Sequence, residues 1–230
     1  MIEPTVEPLG DQALLLRWGD AIDIAVNRRV HAVAARLRAA GAPWLVDCVP
    51  AYASLAVFFD AAAIAGDQPM EAVAAHVRES IGAAGADADP SSSRLVEIPV
   101  CYDAPHAPDL ADVANACGLD EAQLVARHAR PEYVVAMLGF SPGFPYLLGL
   151  DPALAVPRLA TPRVRVPAGS VGIGGAQTGI YPDAGPGGWR LIGRTPVALF
   201  DAGRSEPTTL LPGDRLRFVP IDAATFEAWR

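Results

Sequence analysis

Val166-Pro167-Ala168-Gly169-Ser170-Val171-Gly172-Ile173-Gly174-Gly175-Ala176-Gln177-Thr178-Gly179-Ile180-Tyr181-Pro182 cannot be written as a helix. Glycine recurs every few residues, proline stands near both ends, and the apolar residues follow no 3.6-residue period. The same grammar extends from Pro131 to the C-terminus. Short β-rich pieces lie between the turn signals: Tyr133 to Leu138, Val164 to Val166, Trp189 to Ile192, Val197 to Phe200 and Arg215 to Val219. Many short strands separated by turns predict a barrel or a sandwich, so residues 131–230 are expected to form an all-β domain.

Upstream the pattern changes. Ala13 to Trp18 reads as a strand, with Gly19-Asp20 as turn and helix N-cap. Ile22, Val26, Val30, Val33 and Leu37 then mark one face of a helix ending at Gly41. Leu45 to Val49 and Ser54 to Phe59 read as strands, and Pro69 opens a second helix with Met70, Val73, Val77 and Ile81 inward, closed by Gly82 or Gly85. After the polar stretch Asp87 to Ser93, a fourth strand is expected from Leu95 to Tyr102. Strand, helix, strand, strand, helix, strand is the split βαβ order, which predicts a ferredoxin-like sandwich over residues 1–102. A helical connector over 103–130 follows, its two helices starting at Asp109 and Asp120, where an acidic group suits the helix dipole. The fold class is therefore α+β.

At 230 residues and 24.0 kDa, with 51% apolar and 19% charged residues, the chain is long and apolar enough to fold around a real core. The net charge of −8, without any basic run, argues against nucleic acid and anionic membranes as partners. All 18 basic residues are arginine. A Walker A lysine, a Schiff-base lysine and a Ser-Lys dyad are thus excluded within this chain. Cys48, Cys101 and Cys117 have no short spacing and read as reduced thiols of a cytoplasmic protein. Met1-Ile2-Glu3-Pro4 has neither the basic nor the apolar region of an export signal. The uncharged stretch Tyr133 to Leu150 is broken by Gly139, Pro142, Gly143, Pro145 and Gly149, so no transmembrane helix is expected there.

Gly139-Phe140-Ser141-Pro142-Gly143 matches the G-x-S-x-G elbow of serine hydrolases in letters only. Pro142 lacks the N–H that the elbow needs as oxyanion donor, and Pro145 stops the helix that should follow. Ala168-Gly169-Ser170-Val171-Gly172 is a weaker variant with Ser170 as its serine. Gly172, Gly174, Gly175 and Gly179 have the wrong spacing for a dinucleotide loop and no helix behind them. They read either as turns and bulges of a small barrel or as backbone lining a close-fitting pocket. His31, His76, His106 and His128 form no metal-ligand pair, and no metal site is expected. Phe140, Phe144, Tyr146, Tyr181 and Trp189, interleaved with Gln177, Thr178, Arg190 and Arg194, suit either a small-molecule pocket or a barrel core. In the first case Arg190 is the natural partner for a carboxylate.

Pro131-Glu132-Tyr133 and Gly139-Phe140-Ser141-Pro142-Gly143-Phe144-Pro145-Tyr146-Leu147 resemble the signature of the family of 5-oxoprolinase B subunits, also called allophanate hydrolase subunit 1 and KipI-type kinase inhibitors. The likeness continues through Thr161-Pro162-Arg163, Val166 to Ile173, Gln177 to Pro182, Pro186 to Thr195, Pro212-Gly213-Asp214 and Phe218 to Ile221. It also takes in Gly10 to Leu15 and Val49 to Leu55, and so covers nearly the whole chain. The resemblance implies a ferredoxin-like domain followed by a cyclophilin-like β-barrel. It also implies a non-autonomous component of an enzyme, inactive alone, that works with a C subunit (KipA-like) and an A subunit. The assembled reaction would be the ATP-dependent opening of 5-oxoproline to glutamate, with ATP required by the complex and held by no motif of this chain. Allophanate hydrolysis itself needs a lysine that the chain lacks. A related barrel pair is the carboxyltransferase of urea carboxylase, but no biotinyl lysine can reside here. The alternative is a regulatory protein that docks on a sensor histidine kinase. Under the enzyme reading, Gln177, Thr178, Tyr181, Trp189 and Arg190, with Ser170 nearby, are expected to line a small-molecule pocket shared with the partner. His128 and the loop carrying Phe140, Gly143 and Phe144 are expected to form its rim.

Overall fold

Leu14 and Leu16 lie two residues apart, as do Leu55, Val57 and Phe59, so each set falls on one face of a pleated strand. In the computed structural model, which describes residues 3–83 and 93–229, those faces form the buried side of a four-stranded sheet. The chain divides into two compact units, residues 1–92 and 93–230. Gly85 and residues 87–92, expected as a helix stop and a polar linker, lie outside the described residues.

The first unit contains β1 (Thr5–Pro8), β2 (Ala13–Arg17), α1 (Ile24–Ala39), β3 (Leu45–Pro50), β4 (Ser54–Phe59) and α2 (Pro69–Ala83). The sheet order is β1-β2-β4-β3, with every neighbouring pair antiparallel. Strands β2 and β3 thus flank β4, with α1 as their crossover. Val30, Val33, Ala34 and Leu37 of α1 and Val73 and Val77 of α2 share one apolar core with the sheet. The N-cap of α1 is Asp23, whose carboxylate accepts from the Val26 N–H at 2.8 Å. Asp20, expected in that role, lies three residues too early and pairs with Arg17 instead.

The expected fourth strand of this sheet is elsewhere. Leu95–Cys101 (β5) belongs to the second unit, where its whole length pairs parallel with β13 (Arg215–Ile221). It turns Ile98 and Val100 into the second core. The edge place in the first sheet goes to β1, a hairpin partner of β2 that carries no strand signal of its own. The continuous ferredoxin-like order over residues 1–102 is corrected accordingly.

The second unit adds α3 (Leu110–Ala116), α4 (Glu121–Ala129), β6 (Tyr133–Leu138), β7 (Pro145–Leu148), β8 (Arg163–Val166), β9 (Ser170–Gly174), β10 (Gln177–Ile180), β11 (Gly185–Gly187), β12 (Arg190–Arg194) and α5 (Ala223–Ala228). Seven strands close a barrel in the order β10-β7-β6-β13-β5-β12-β9, and β8 with β11 forms a separate two-stranded ribbon. Inward residues alternate as the pleat requires: Val171 and Ile173 from β9, Ile180 from β10, Ile192 from β12, Leu216 and Phe218 from β13. Leu110, Val113 and Ala114 of α3 and Leu124 of α4 join the same core. Asp120 caps α4 through a full capping box with Gln123. The expected strand Val197 to Phe200 is reduced to one bridge, Phe200 to Thr208. Among the described residues no helix is long and apolar enough to cross a membrane; much of Tyr133 to Leu150 is the β6–β7 hairpin. The three cysteines are free thiols, and burial raises that of Cys48 to about 11.

Candidate functional site

Trp189 organises the outer face of the barrel. Gly172 and Gly174 on β9 and Gly179 on β10 carry no side chain on that face, so the indole lies against bare backbone. A Cβ on Gly174 would stand 2.6 Å from two ring atoms of Trp189, and one on Gly179 would stand 3.1 Å from Trp189 Cζ3. These three glycines are therefore neither turns nor a ligand-facing backbone but the bed of an aromatic ring, whereas Gly175, at φ 66° between β9 and β10, is a turn residue as expected. Around the indole, Phe144, Tyr146 and Tyr181 pack edge-on or tilted at 4.9 to 6.0 Å between centroids. The group sits outside the barrel core, in its own apolar cluster with Val166 and Leu191. Gly174→Ala is expected to cost about 1–3 kcal/mol of stability by forcing the indole off its bed. Urea unfolding and the near-ultraviolet dichroism of the aromatic band check this; an unchanged aromatic band would refute it.

The fifth aromatic ring arrives on a strained loop. Phe140 has φ 69°, and the Ser141 N–H donates to the Gly139 carbonyl at 2.9 Å, which makes Phe140 the centre of a γ-turn of the unfavourable hand. Its ring is 65% exposed, yet lies edge-on to Phe144 at 5.4 Å and to Tyr181 at 6.2 Å. Such strain persists only where the surroundings impose it, and it concentrates at functional sites. The letters G-x-S-x-G thus belong to a hairpin loop leading into β7, not to a nucleophile elbow.

Phe140, Phe144, Tyr146, Tyr181, Trp189, Gly187 and Gly188 line one cavity of about 80 Å³, together with Arg158. The Arg158 guanidinium carbon stands 5.6 Å from the centroid of the Trp189 ring, a cation–π contact. Among the described residues no carboxylate pairs with it. Burial raises the Tyr181 phenol above its usual range, so that hydroxyl stays neutral near pH 7. Chemically, this is an aromatic box with room for a small group, and one guanidinium at its edge could face an anionic substituent.

The structure thus brings Phe140, Phe144, Tyr181 and Trp189 together, and separates them from the other expected members. Arg190 follows Trp189 in the chain, and neighbouring residues of an extended segment point to opposite faces. Arg190 accordingly lines a different concavity, beside Asp112 and Asn115 of α3. Arg158 stands where Arg190 was expected; it lies outside any strand, and no periodic signal marks it. Thr178 and His128 are inside the barrel. His128 is 0% exposed, with Nε2 3.0 Å from Thr178 Oγ1 and Nδ1 2.8 Å from the Tyr102 hydroxyl. Thr178 Oγ1 also donates to the Gly172 carbonyl at 3.0 Å, so it accepts from Nε2–H, and the Tyr102 hydroxyl donates to Nδ1. Both ring nitrogens of neutral imidazole are satisfied. Desolvation lowers the pKa of His128 to about 3, and no rim role is open to it. Ser170 is buried at the head of β9, too enclosed to act as a nucleophile. Gly143 packs its bare Cα against Phe200, and Gln177 is half-buried on β10 without lining the aromatic cavity.

One network that no local pattern announces holds β12 in place. Buried Asp109 accepts from Arg163 Nη2 at 2.6 Å and from the Leu191 N–H at 2.7 Å, while its own N–H donates to the Leu191 carbonyl at 2.9 Å. Its carboxylate is thereby withdrawn from capping α3. Trp189 and Arg190 stand immediately before the strand residue that it clamps.

The family described as carboxyltransferase domain, subdomain C and D, matches residues 4–211. The 5-oxoprolinase B subunit of Bacillus subtilis (strain 168) is 42% identical over 98% of this chain and 96% of its own. That of Escherichia coli O157:H7 is 44% identical over 92% of this chain and 94% of its own. The crystal structure of TTHA0988 superposes with a TM-score of 0.79 at 39% identity over 92% of this chain, and this chain spans only 40% of that longer one. With a family match over residues 4–211 and relatives of this identity along nearly its full length, the chain belongs to the family of 5-oxoprolinase B subunits.

Proposed function

We propose that this chain is the B subunit of an ATP-dependent 5-oxoprolinase, and that its aromatic cavity receives the lactam ring with Arg158 on the ring's carboxylate. Identity with proteins of that name carries the first part. The second rests on one observation: five aromatic rings and a guanidinium with no carboxylate partner among the described residues share a single small cavity. At about 80 Å³ it lies well under the roughly 300–1,000 Å³ of drug-sized sites, which suits a compact five-membered ring and not a nucleotide.

An unstrained lactam resists water, and phosphorylation of its carbonyl oxygen by ATP supplies the activation. The Gly172–Gly175 run does not fit a phosphate cradle. It lies in the β9–β10 hairpin, with no helix behind it to present N–H groups, and Gly172 and Gly174 are filled by Trp189. Under this proposal, nucleotide handling falls to the companion C and A subunits. This chain's own work is to hold the ring, fix its carboxylate through the guanidinium fork and exclude water from one of its faces.

The test is copurification with the two companion proteins followed by an ADP-release assay with and without 5-oxoproline. Release that depends on 5-oxoproline in the complex, and none from the isolated chain, is the expected result. Turnover by the chain alone would overturn the division of labour. A complex without 5-oxoproline-dependent release, together with binding to a histidine kinase, would favour the inhibitor reading. Within an active complex, Arg158→Gln is expected to raise KM for 5-oxoproline by roughly tenfold or more while kcat changes little, the mark of a lost charge-assisted bond. An unchanged KM removes Arg158 from the site.

A further inference from the structure

On the opposite side of β12 from the indole lies a second concavity, of about 320 Å³. It is lined by Arg190, by Asp112, Val113, Asn115 and Ala116 of α3, and by Val156 and Pro157. We propose that this cleft binds a free α-amino acid as its zwitterion. The inference does not rest on the lactam reading of the aromatic cavity.

Charge carries the argument. Arg190 and Asp112 line the same cleft without pairing; no contact within 4.0 Å joins guanidinium to carboxylate. A simple anion would answer Arg190 and oppose Asp112, a simple cation would do the reverse, and a neutral ligand would leave both unanswered. A molecule that carries a carboxylate and an ammonium on one carbon answers both. The Arg190 fork takes the carboxylate through two parallel hydrogen bonds, and the ammonium donates to Asp112. Asn115 stands three residues beyond Asp112, on the same side of α3, and offers a further donor and acceptor. Ala116, Val156 and Pro157 supply an apolar wall for the ligand's side chain.

The cleft is also held rigidly. Leu110, Val113 and Ala114 seat α3 in the barrel core, and the Asp109 clamp fixes β12 next to Arg190. Anchoring the helix and the strand that carry the two charges lowers the ordering cost of binding.

Isothermal titration of the full chain with L-glutamate, L-alanine and N-acetyl-L-glutamate tests the site. Saturable binding of glutamate, alone or with alanine, supports it; glutamate alone points to the product of lactam opening as the source, and both together point to backbone recognition of amino acids in general. N-acetyl-L-glutamate, whose ammonium is blocked, is expected to bind at least about tenfold more weakly. Arg190→Gln and Asp112→Asn, both at solvent-reached positions, are each expected to weaken glutamate binding at least about tenfold with an unchanged melting temperature. Absence of saturable binding up to about 10 mM, equal binding of the N-acetyl compound, or full affinity in both variants would overturn the proposal.

Discussion

Between pH 6.5 and pH 4.5 the unfolding free energy is expected to fall by about 2–3 kcal/mol through His128 alone. The sign follows from its burial. Above pH 6.5 the imidazole is neutral in both states and its burial costs nothing extra. Below that value the unfolded chain takes up a proton that the folded barrel refuses down to about pH 3, so stability drains away at roughly 1.4 kcal/mol per pH unit. Carboxylates add their own pH dependence, which a variant separates out. His128→Gln keeps a hydrogen-bonding side chain between Tyr102 and Thr178 and removes the titration. Urea unfolding at pH 7.5, 6.5, 5.5 and 4.5 is expected to give a flatter profile for the variant. Parallel profiles would mean that His128 is not held neutral.

The other large effect is at Asp109. Asp109→Ala is expected to cost about 3–5 kcal/mol, because it leaves the buried Leu191 N–H without an acceptor and the Arg163 guanidinium with only its longer bond to the Trp189 carbonyl. Asp109→Asn, which retains an acceptor for Leu191 but loses the charge, is expected to cost less. A loss under about 1 kcal/mol for the alanine variant would show that the clamp is dispensable. Partial loosening of β12 is also expected to disturb both faces together, weakening 5-oxoproline at Trp189 and glutamate at Arg190. A substitution local to either cavity does not do that.

The β character of the second half, the two long helices of the first and the clustering of aromatic residues around one cavity were legible in the sequence. What was hidden follows one physical pattern. Strands β9 and β10 carry glycine at outward positions because Trp189 occupies the space above them, so the residues that normally announce turns lie inside strands. His128 and Thr178 differ from surface polar residues only in the partners they find across the barrel, fifty positions apart. Leu95 to Cys101 has the composition of a strand in either unit; its placement is decided by β13, beyond the reach of any local window. Arg158 and Asp112 carry no local mark, because what sets them apart is the cavity that each shares with Trp189 or Arg190.

The parallel pairing of β5 with β13 joins the first and last strands of the barrel in chain order. Glu97 and Arg217, joined across that pair, are 120 positions apart. A ribosome delivering the polypeptide N-terminus first exposes everything needed for the initial sheet early, whereas the later structure stays open until its final strand emerges. During that interval Val171, Ile173, Ile180 and Ile192 lack Leu216 and Phe218 as core neighbours, so nascent chains stalled before Arg215 are expected to depend most on a chaperone.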